Sequence, residues 1–444
     1  LKRWLEMLQA SYWVIPTIMA LLGMLLVPAQ YLIHNLLPEP VLQLGYFQHL
    51  QNMSVATARG ILATVASAAI GTASVVFSVS IVVLSLTASQ FGPRLLKNFL
   101  QQGVAQLTLG IFIATFMFSL FGFTLLDSAM HGVQMTYLLV TVSILLGAGS
   151  FFVLIFYIHH IATFIQAPRV IDDVSRSLMA RLQLLPQIGT GTQHSELSRA
   201  DEDQHADAGQ QRDLITARSG YVQTIDFDDL LRQACSHDLQ LNLAVYPGQF
   251  VLINQVLAAV KPAPSIDDDL LGELLAAFSI GSERTATQDL SFALDQLVEI
   301  AVRALSPGIN DPFTAINCID QLAAGLSLLA DRELPSARLF DAQGTLRISK
   351  PRMHHGHLLD AAFGQIREHA RRDQAVTIHL SNSLLKLHDL PLPDDYRTAV
   401  LDQLRALHES FENNEISRLR SAHDQNRIRQ LLDQNDESSK HNDN

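Results

Sequence analysis

The sequence predicts an integral membrane α-helical protein: four transmembrane helices, then a cytoplasmic α+β domain with a small β-barrel-like module and helical hairpins. Three observations predict it. Through Gln166 the chain carries five basic and three acidic residues, set between long apolar runs. Beyond Gln166 it holds the remaining 26 basic and 40 acidic residues, a net charge of −14, in ordinary water-exposed sequence. The cations of the first part cluster in alternate connections between the runs, as they do when those connections stay on the cytoplasmic side.

A spanning helix needs about 20 mostly apolar residues, and four runs are long enough: 13–33, 61–86, 105–126 and 133–158. Lys2 and Arg3 precede the first, Arg94 and Lys97 separate the second from the third, and Arg169, Arg176 and Arg181 follow the fourth. Arg59 is the one cation in the opposite connections. This places both termini and the acidic half on the cytoplasmic side. Val27-Pro28-Ala29 before Gln30 resembles a signal-peptidase site, but the apolar run around it is longer than a signal core. The predicted divisions are 1–165 for the membrane domain, 166–218 for a helix and a flexible acidic insertion, and 219–262 for the β-rich module. A helical domain at 263–432 and a disordered tail at 433–444 complete the chain.

The second run is unusual. From Gly60 to Pro93 it holds 34 residues without a charge, about 51 Å as a helix. At 100° per residue Gly60, Ser67, Gly71, Ser74, Ser78, Ser85 and Ser89 fall within about 60° of one another. Small residues of this kind let helix backbones approach closely in a solvent that offers no hydrophobic push between helices. They predict a helix-packing seam; repeated around a symmetry axis of a homo-oligomer, the same edge would line a narrow pore. Ile81 and Val82 interrupt the hydroxyls and would form an apolar gate that closes by dewetting. Gly92-Pro93 ends the helix, and the amphipathic piece after it, 94–100, would lie along the inner surface of the membrane. No Asp, Glu, Lys or Arg lies inside a span, which argues against a proton-driven pump.

In the second half, Tyr221 to Ile225 alternates as a strand, and Asp226 or Asp228 caps the helix that follows. Leu239, Leu241 and Leu243 mark another strand, turned by Tyr246-Pro247-Gly248 into "QFVLINQVLAAV". The turn looks like part of a biotinyl or lipoyl barrel, but no lysine lies between Lys97 and Lys261 to carry the group. A helix over 289–305 presents Leu290, Ala293, Leu294, Leu297, Ile300, Ala301, Ala304 and Leu305 to the core. Then comes "SPGINDPFTAINCID", in which Pro307 and Gly308 stop that helix while Asp311 caps, and Pro312 starts, the next. Its exposed amides would alternatively hold an anion, which Asp311 opposes. "RMHHGHLLD" offers His354, His357 and Asp360 as weak metal candidates on one helix face. A last helix from 394 carries Tyr396, Val400, Leu404, Leu407 and Phe411 on one face, which needs cover from this chain or another copy.

Nucleotide-binding, hydrolase and metalloprotease signatures are lacking, so the sequence predicts neither catalysis nor a cofactor. The acidity of the second half excludes nucleic acid, whose binding needs cations on phosphates, and leaves a cytoplasmic protein or a small ion as possible ligands. Lipid and further copies of the chain are the expected partners. Cys235 and Cys318 lack metal-site spacing and read as free thiols. "ASQFGPRLLKNFL", "GSERTATQD", "RALSPGINDPFTAINCID" and "AAFGQIREHA" together resemble the bacterial DUF2254 family of predicted membrane proteins. The resemblance implies an integral-membrane location and a cytoplasmic domain of its own type, and implies no activity.

Overall fold

A computed structural model describes residues 13–36, 53–92, 103–126, 133–164, 166–188, 211–262, 267–412, 426 and 429–431. The chain divides into two compact units, Leu1–Arg169 and Val170–Asn444.

The first unit contains four long apolar helices: α1 (Val14–Leu36), α2 (Val55–Phe91), α3 (Val104–Leu125) and α4 (Val133–Phe164). α2 is 37 residues long, about 55 Å. It starts before the predicted span because the Ser54 hydroxyl caps it, accepting the Thr57 N–H at 3.1 Å. It runs unbroken to Gly92, where φ reaches 103°. Pro28 sits inside α1 without ending it. The amphipathic piece expected at 94–100 lies outside the described residues.

α3 is the hub of this unit, packing against α1, α2 and α4. Small residues set the closest approaches, as expected where helices associate by packing alone. A Cβ built on Gly23 would lie 2.4 Å from the Ala114 carbonyl oxygen, and one on Gly110 would lie 2.6 Å from the Met19 sulfur. Ala69, Ala73, Val76 and Val83 of α2 meet Leu109 and Phe112 of α3 and Tyr157 of α4 in one apolar cluster.

The second unit is mixed. β1 (Arg212–Ile215), β5 (Val256–Lys261), β3 (Gln240–Leu243), β8 (Leu346–Ser349) and β7 (Arg338–Phe340) form a five-stranded sheet in that order. β4 (Phe250–Val251), β2 (Gly220–Ile225) and β6 (Phe278–Gly281) form a three-stranded one. The sheets do not close, which corrects the expected barrel-like module. Strand β8 comes from about a hundred residues downstream and pairs in parallel with β3, so the sheet grows outward where a barrel would have to pair back on itself. β1 falls within the stretch read as an insertion, most of which lies outside the described residues. Helices α6 (Phe227–Ser236) and α7 (Asp268–Ala276) supply Leu230, Ala234, Leu270 and Leu274 to the apolar core of these sheets. Asp226 is the cap of α6, accepting the Asp229 N–H at 3.0 Å.

The helical layer comprises α5 (Ala167–Gln183), α8 (Leu290–Ala304), α9 (Pro312–Ser327), α10 (His355–Ala370), α11 (Gln374–His388) and α12 (Asp394–Glu412). α8 buries Ala293, Leu294, Leu297, Ile300, Ala301 and Ala304, the face its periodicity predicts. Among the described residues α2, α3 and Thr136–Thr163 of α4 are long and apolar enough to cross a membrane, and α1 counts over Val14–Gln30 as a shorter apolar helix. Residues Pro312–Asp331 also meet the length and apolarity of a span. They carry Asp320, ion-paired to His379 at 2.6 Å, and Gln321, which accepts the Ser175 hydroxyl at 2.6 Å. With α8 and α11 packed against it, α9 is a core helix of the second unit. Tyr396, Val400, Leu404 and Leu407 of α12 are buried, and α10 and α11 cover that helix. Its stripe therefore finds cover within the chain; the Phe411 side chain lies outside the described residues, as do 433–444.

Candidate functional site in the second membrane helix

Helix α2 has two edges of opposite character. Ala58, Leu62, Ala66, Ala69, Ala73, Val76, Ser80, Val83, Thr87 and Phe91 are buried in the bundle. Ser67, Gly71, Ser74, Ser78, Ser85 and Ser89 are all exposed, roughly 180° around the helix at 100° per residue. Ile81 and Val82 are exposed as well. The hydroxyl stripe thus faces away from the helices of its own chain.

Two hydroxyls on this edge are quieted by their own helix. Ser78 Oγ donates to the Ser74 carbonyl at 2.9 Å, and Ser89 Oγ to the Leu86 carbonyl at 2.9 Å. Such return bonds lower the cost of a hydroxyl in an apolar medium. The glycines are another matter. Nothing lies within 4 Å of a Cβ built on Gly60 or Gly71, whereas Gly23 and Gly110 meet other helices at contact. Glycine inside a helix costs about 1 kcal/mol relative to alanine, and packing among the described residues does not explain that cost at Gly71.

A second set of hydroxyls, which pattern reading passed over, lies inside the bundle. Ser80 Oγ and Tyr157 Oη are 2.6 Å apart. Thr115 and Ser150 meet at 3.0 Å, and Ser119 and Ser143 at 2.7 Å. These pairs tie α4 to α2 and α3. Ser80 sits opposite the stripe, and its hydroxyl both returns to the Val76 carbonyl at 2.8 Å and meets Tyr157.

In the second unit, the joint between α8 and α9 is built as its residues suggest. Pro307 and Gly308 are exposed, Asn310 turns with φ 50°, and Pro312 opens α9. Asp311 accepts the Thr314 N–H at 3.1 Å and the Thr314 hydroxyl at 2.6 Å. The same joint holds Phe313 81% exposed.

His354 is the N-terminal cap residue of α10 without a side-chain capping bond. His357 is exposed, and Asp360 accepts from Gln403 Nε2 at 3.4 Å. Among the described residues, no group of three or more His, Cys, Asp or Glu is placed to hold a metal. The structure singles out the intervening histidine instead. His355 is buried, its Nδ1 lies 2.8 Å from Asp395 Oδ2, and its ring stacks on Tyr396 at 4.7 Å between centroids. Tyr396 in turn donates to the Leu326 carbonyl at 2.8 Å, so this corner locks α9, α10 and α12 together.

Arg284 joins Asp289 and Asp295, each at 2.5 Å. Burial alone would lower its pKa; bonds to and attraction from the two carboxylates outweigh that and raise it. Glu283 contributes its carbonyl, accepting Gln223 Nε2 at 2.9 Å. The Cys318 thiol is buried, and both burial and Asp311 push its pKa upward, which makes it a poor nucleophile.

The model of a family described as a predicted membrane protein, DUF2254, matches residues 9–386. The uncharacterized protein Rv1290c of Mycobacterium tuberculosis is 32% identical over 419 residues, covering 91% of this chain and 76% of its own. The uncharacterized protein Mb1321c of Mycobacterium bovis matches to the same extent. No solved structure matches the chain. Family match, relatives and apolar helices agree: the chain belongs to the DUF2254 family of predicted membrane proteins.

Proposed function

We propose that this protein is an oligomeric, channel-like protein of the bacterial inner membrane, in which the hydroxyl edge of α2 meets other copies of the chain. One observation carries the reading: the edge bearing Ser67, Gly71, Ser74, Ser78, Ser85 and Ser89 is turned away from its own bundle, with open space at Gly71. Small residues at that edge permit close helix approach, and a ring of such edges would bound a narrow polar lumen. Ile81 and Val82, exposed at the same level, would narrow it by dewetting. The cation distribution supports a cytoplasmic position for both termini. An acidic second unit there would raise the local concentration of cations. The reading assigns no catalytic step to either unit.

Conductance of the protein reconstituted in lipid, with Ser78→Trp as the variant, tests it. A bulky indole at the edge blocks or reduces conductance in a pore; unchanged conductance removes the proposal's main support. The return hydrogen bonds of Ser78 and Ser89 favour a second reading, a membrane-anchored scaffold or sensor whose stripe faces lipid. In that case the protein is a monomer in lipid and its second unit binds a cytoplasmic partner, with exposed Phe313 as one contact.

A further inference from the structure

Two loops of the β-rich sheets close on one another. The Asn254 N–H donates to the Thr216 carbonyl at 2.9 Å, the Thr216 N–H to the Gln255 carbonyl at 3.1 Å, and the Ile253 N–H to Ser219 Oγ at 2.8 Å. The Gln255 N–H closes a turn onto the Leu252 carbonyl at 3.0 Å. Asn254 supplies the positive φ of that turn, 64°, a conformation suited to it. Nothing in this geometry calls for apolar residues at the apex. Yet Leu252 is 62% exposed, Ile253 57% and Phe250 49%. Phe250 and Leu252 project to the same side of the extended chain, opposite buried Val251, and Tyr221 packs edge-on against Phe250 at 5.0 Å. Exposed Ile215 lies beside this turn, paired in register with Val256.

The electrostatics of the tip differ from those of its unit. No Asp or Glu occurs from Leu214 to Ile225 or from Leu239 to Ile266, in a half of the chain with net charge −14. Arg218 is the one charged residue in the two loops, and it is exposed. Apolar side chains at an apex, an aromatic beside them and a long cationic side chain at the rim are the chemistry of a bilayer interface, where rings sit at headgroup level and arginine reaches to phosphate.

We propose that this tip, built from Phe250, Leu252 and Ile253 with Arg218 at its rim, inserts into the headgroup region of a lipid bilayer. The chain itself supplies that occupant. Only 165–166 separate α4 from α5, so every copy of the second unit is tethered to the membrane that α4 enters. With acidic surface around it, the tip binds by apolar insertion into neutral lipid, and anionic lipid adds little.

The test uses the full-length protein in phosphatidylcholine vesicles, with an environment-sensitive fluorophore on a cysteine at the tip. In one protein Cys235 is replaced by Ser and Ile253 by Cys; in the control the native, exposed Cys235 carries the label. Buried Cys318 stays unlabelled. The tip label is expected to emit to the blue and to be quenched by doxyl-labelled phosphatidylcholine, while the Cys235 label emits as in water. Water-like emission at Ile253 overturns the proposal, and so does a blue shift without doxyl quenching, which would mean that protein covers the tip. A Leu252→Cys label provides the same readout should the first variant misfold.

Discussion

Ser80 and Tyr157 place two hydroxyls 2.6 Å apart in the interior of the membrane unit, both within donating reach of the Val76 carbonyl at 2.8 and 3.2 Å. The pair crosses from α2 to α4 where neither helix can call on water. Tyr157→Phe keeps the ring and removes the bond. Interhelical bonds of this kind are worth about 0.6 kcal/mol on average and up to about 1.7. The variant should therefore melt slightly below wild type in detergent. Ser80→Ala should have the same small effect, and the double variant should cost less than the sum of the two. Full additivity would show that the hydroxyls do not interact.

In the second unit Asp289 is 4% exposed and Arg284 19%. Asp289 also accepts the Phe292 N–H at the start of α8, and Gly248 lies against its carboxylate with φ 94°. Removing one partner of a buried ion pair leaves the other charge uncompensated, at a cost of about 3–5 kcal/mol. Arg284→Met should lower the unfolding midpoint of the second unit sharply. Gly248→Ala should lower it too, since a Cβ there would lie 2.1 Å from Asp289 Oδ2. Thermal scans in detergent check both, and a Gly248→Ala protein as stable as wild type would contradict the close approach.

Asp395 makes the stability of the helical layer depend on pH. Burial pulls its pKa up. This is outweighed by the hydrogen bond and attraction of His355, the Tyr396 N–H and the positive charge of Arg352, so the net shift is downward. A carboxylate with a folded pKa below its unfolded value stabilises the fold above about pH 4 and loses that contribution as pH falls through the folded pKa. The unfolding midpoint should drop in that acid range, and less steeply in Asp395→Asn. Equal acid slopes for the two proteins would remove Asp395 from the account.

The four apolar helices were legible because a bilayer demands length and apolarity, and Gly60 to Pro93 meets both without a charge. The stripe on α2 was legible for the same reason that makes helices periodic. The pairs Ser119–Ser143 and Thr115–Ser150 were not, since in any one helix a hydroxyl is satisfied by its own backbone and gives no sign of a neighbour. The pairing of β3 with β8 was equally hidden: local alternation marks a strand but carries no information about a partner about a hundred residues away. In "RMHHGHLLD" the spacing drew attention to His354 and His357, whereas Asp395, on another helix, selects His355.

Gly71 and Gly23 separate association between copies from folding of one copy. Both are glycines in apolar helices, but a Cβ on Gly71 meets open space and one on Gly23 would lie 2.4 Å from the Ala114 carbonyl oxygen. Gly71→Leu should leave the bundle folded, and the gain in helix propensity, up to about 1 kcal/mol, should not lower its melting temperature. If the stripe packs against another copy, four added carbons hold the helices apart, and the subunit number measured by native mass spectrometry from lipid should fall. Gly23→Leu should instead disrupt the contact of α1 with α3 and reduce the yield of folded protein. A Gly71→Leu protein with the wild-type subunit number would place the stripe against lipid, and the small residues of α2 would then play no part in assembly.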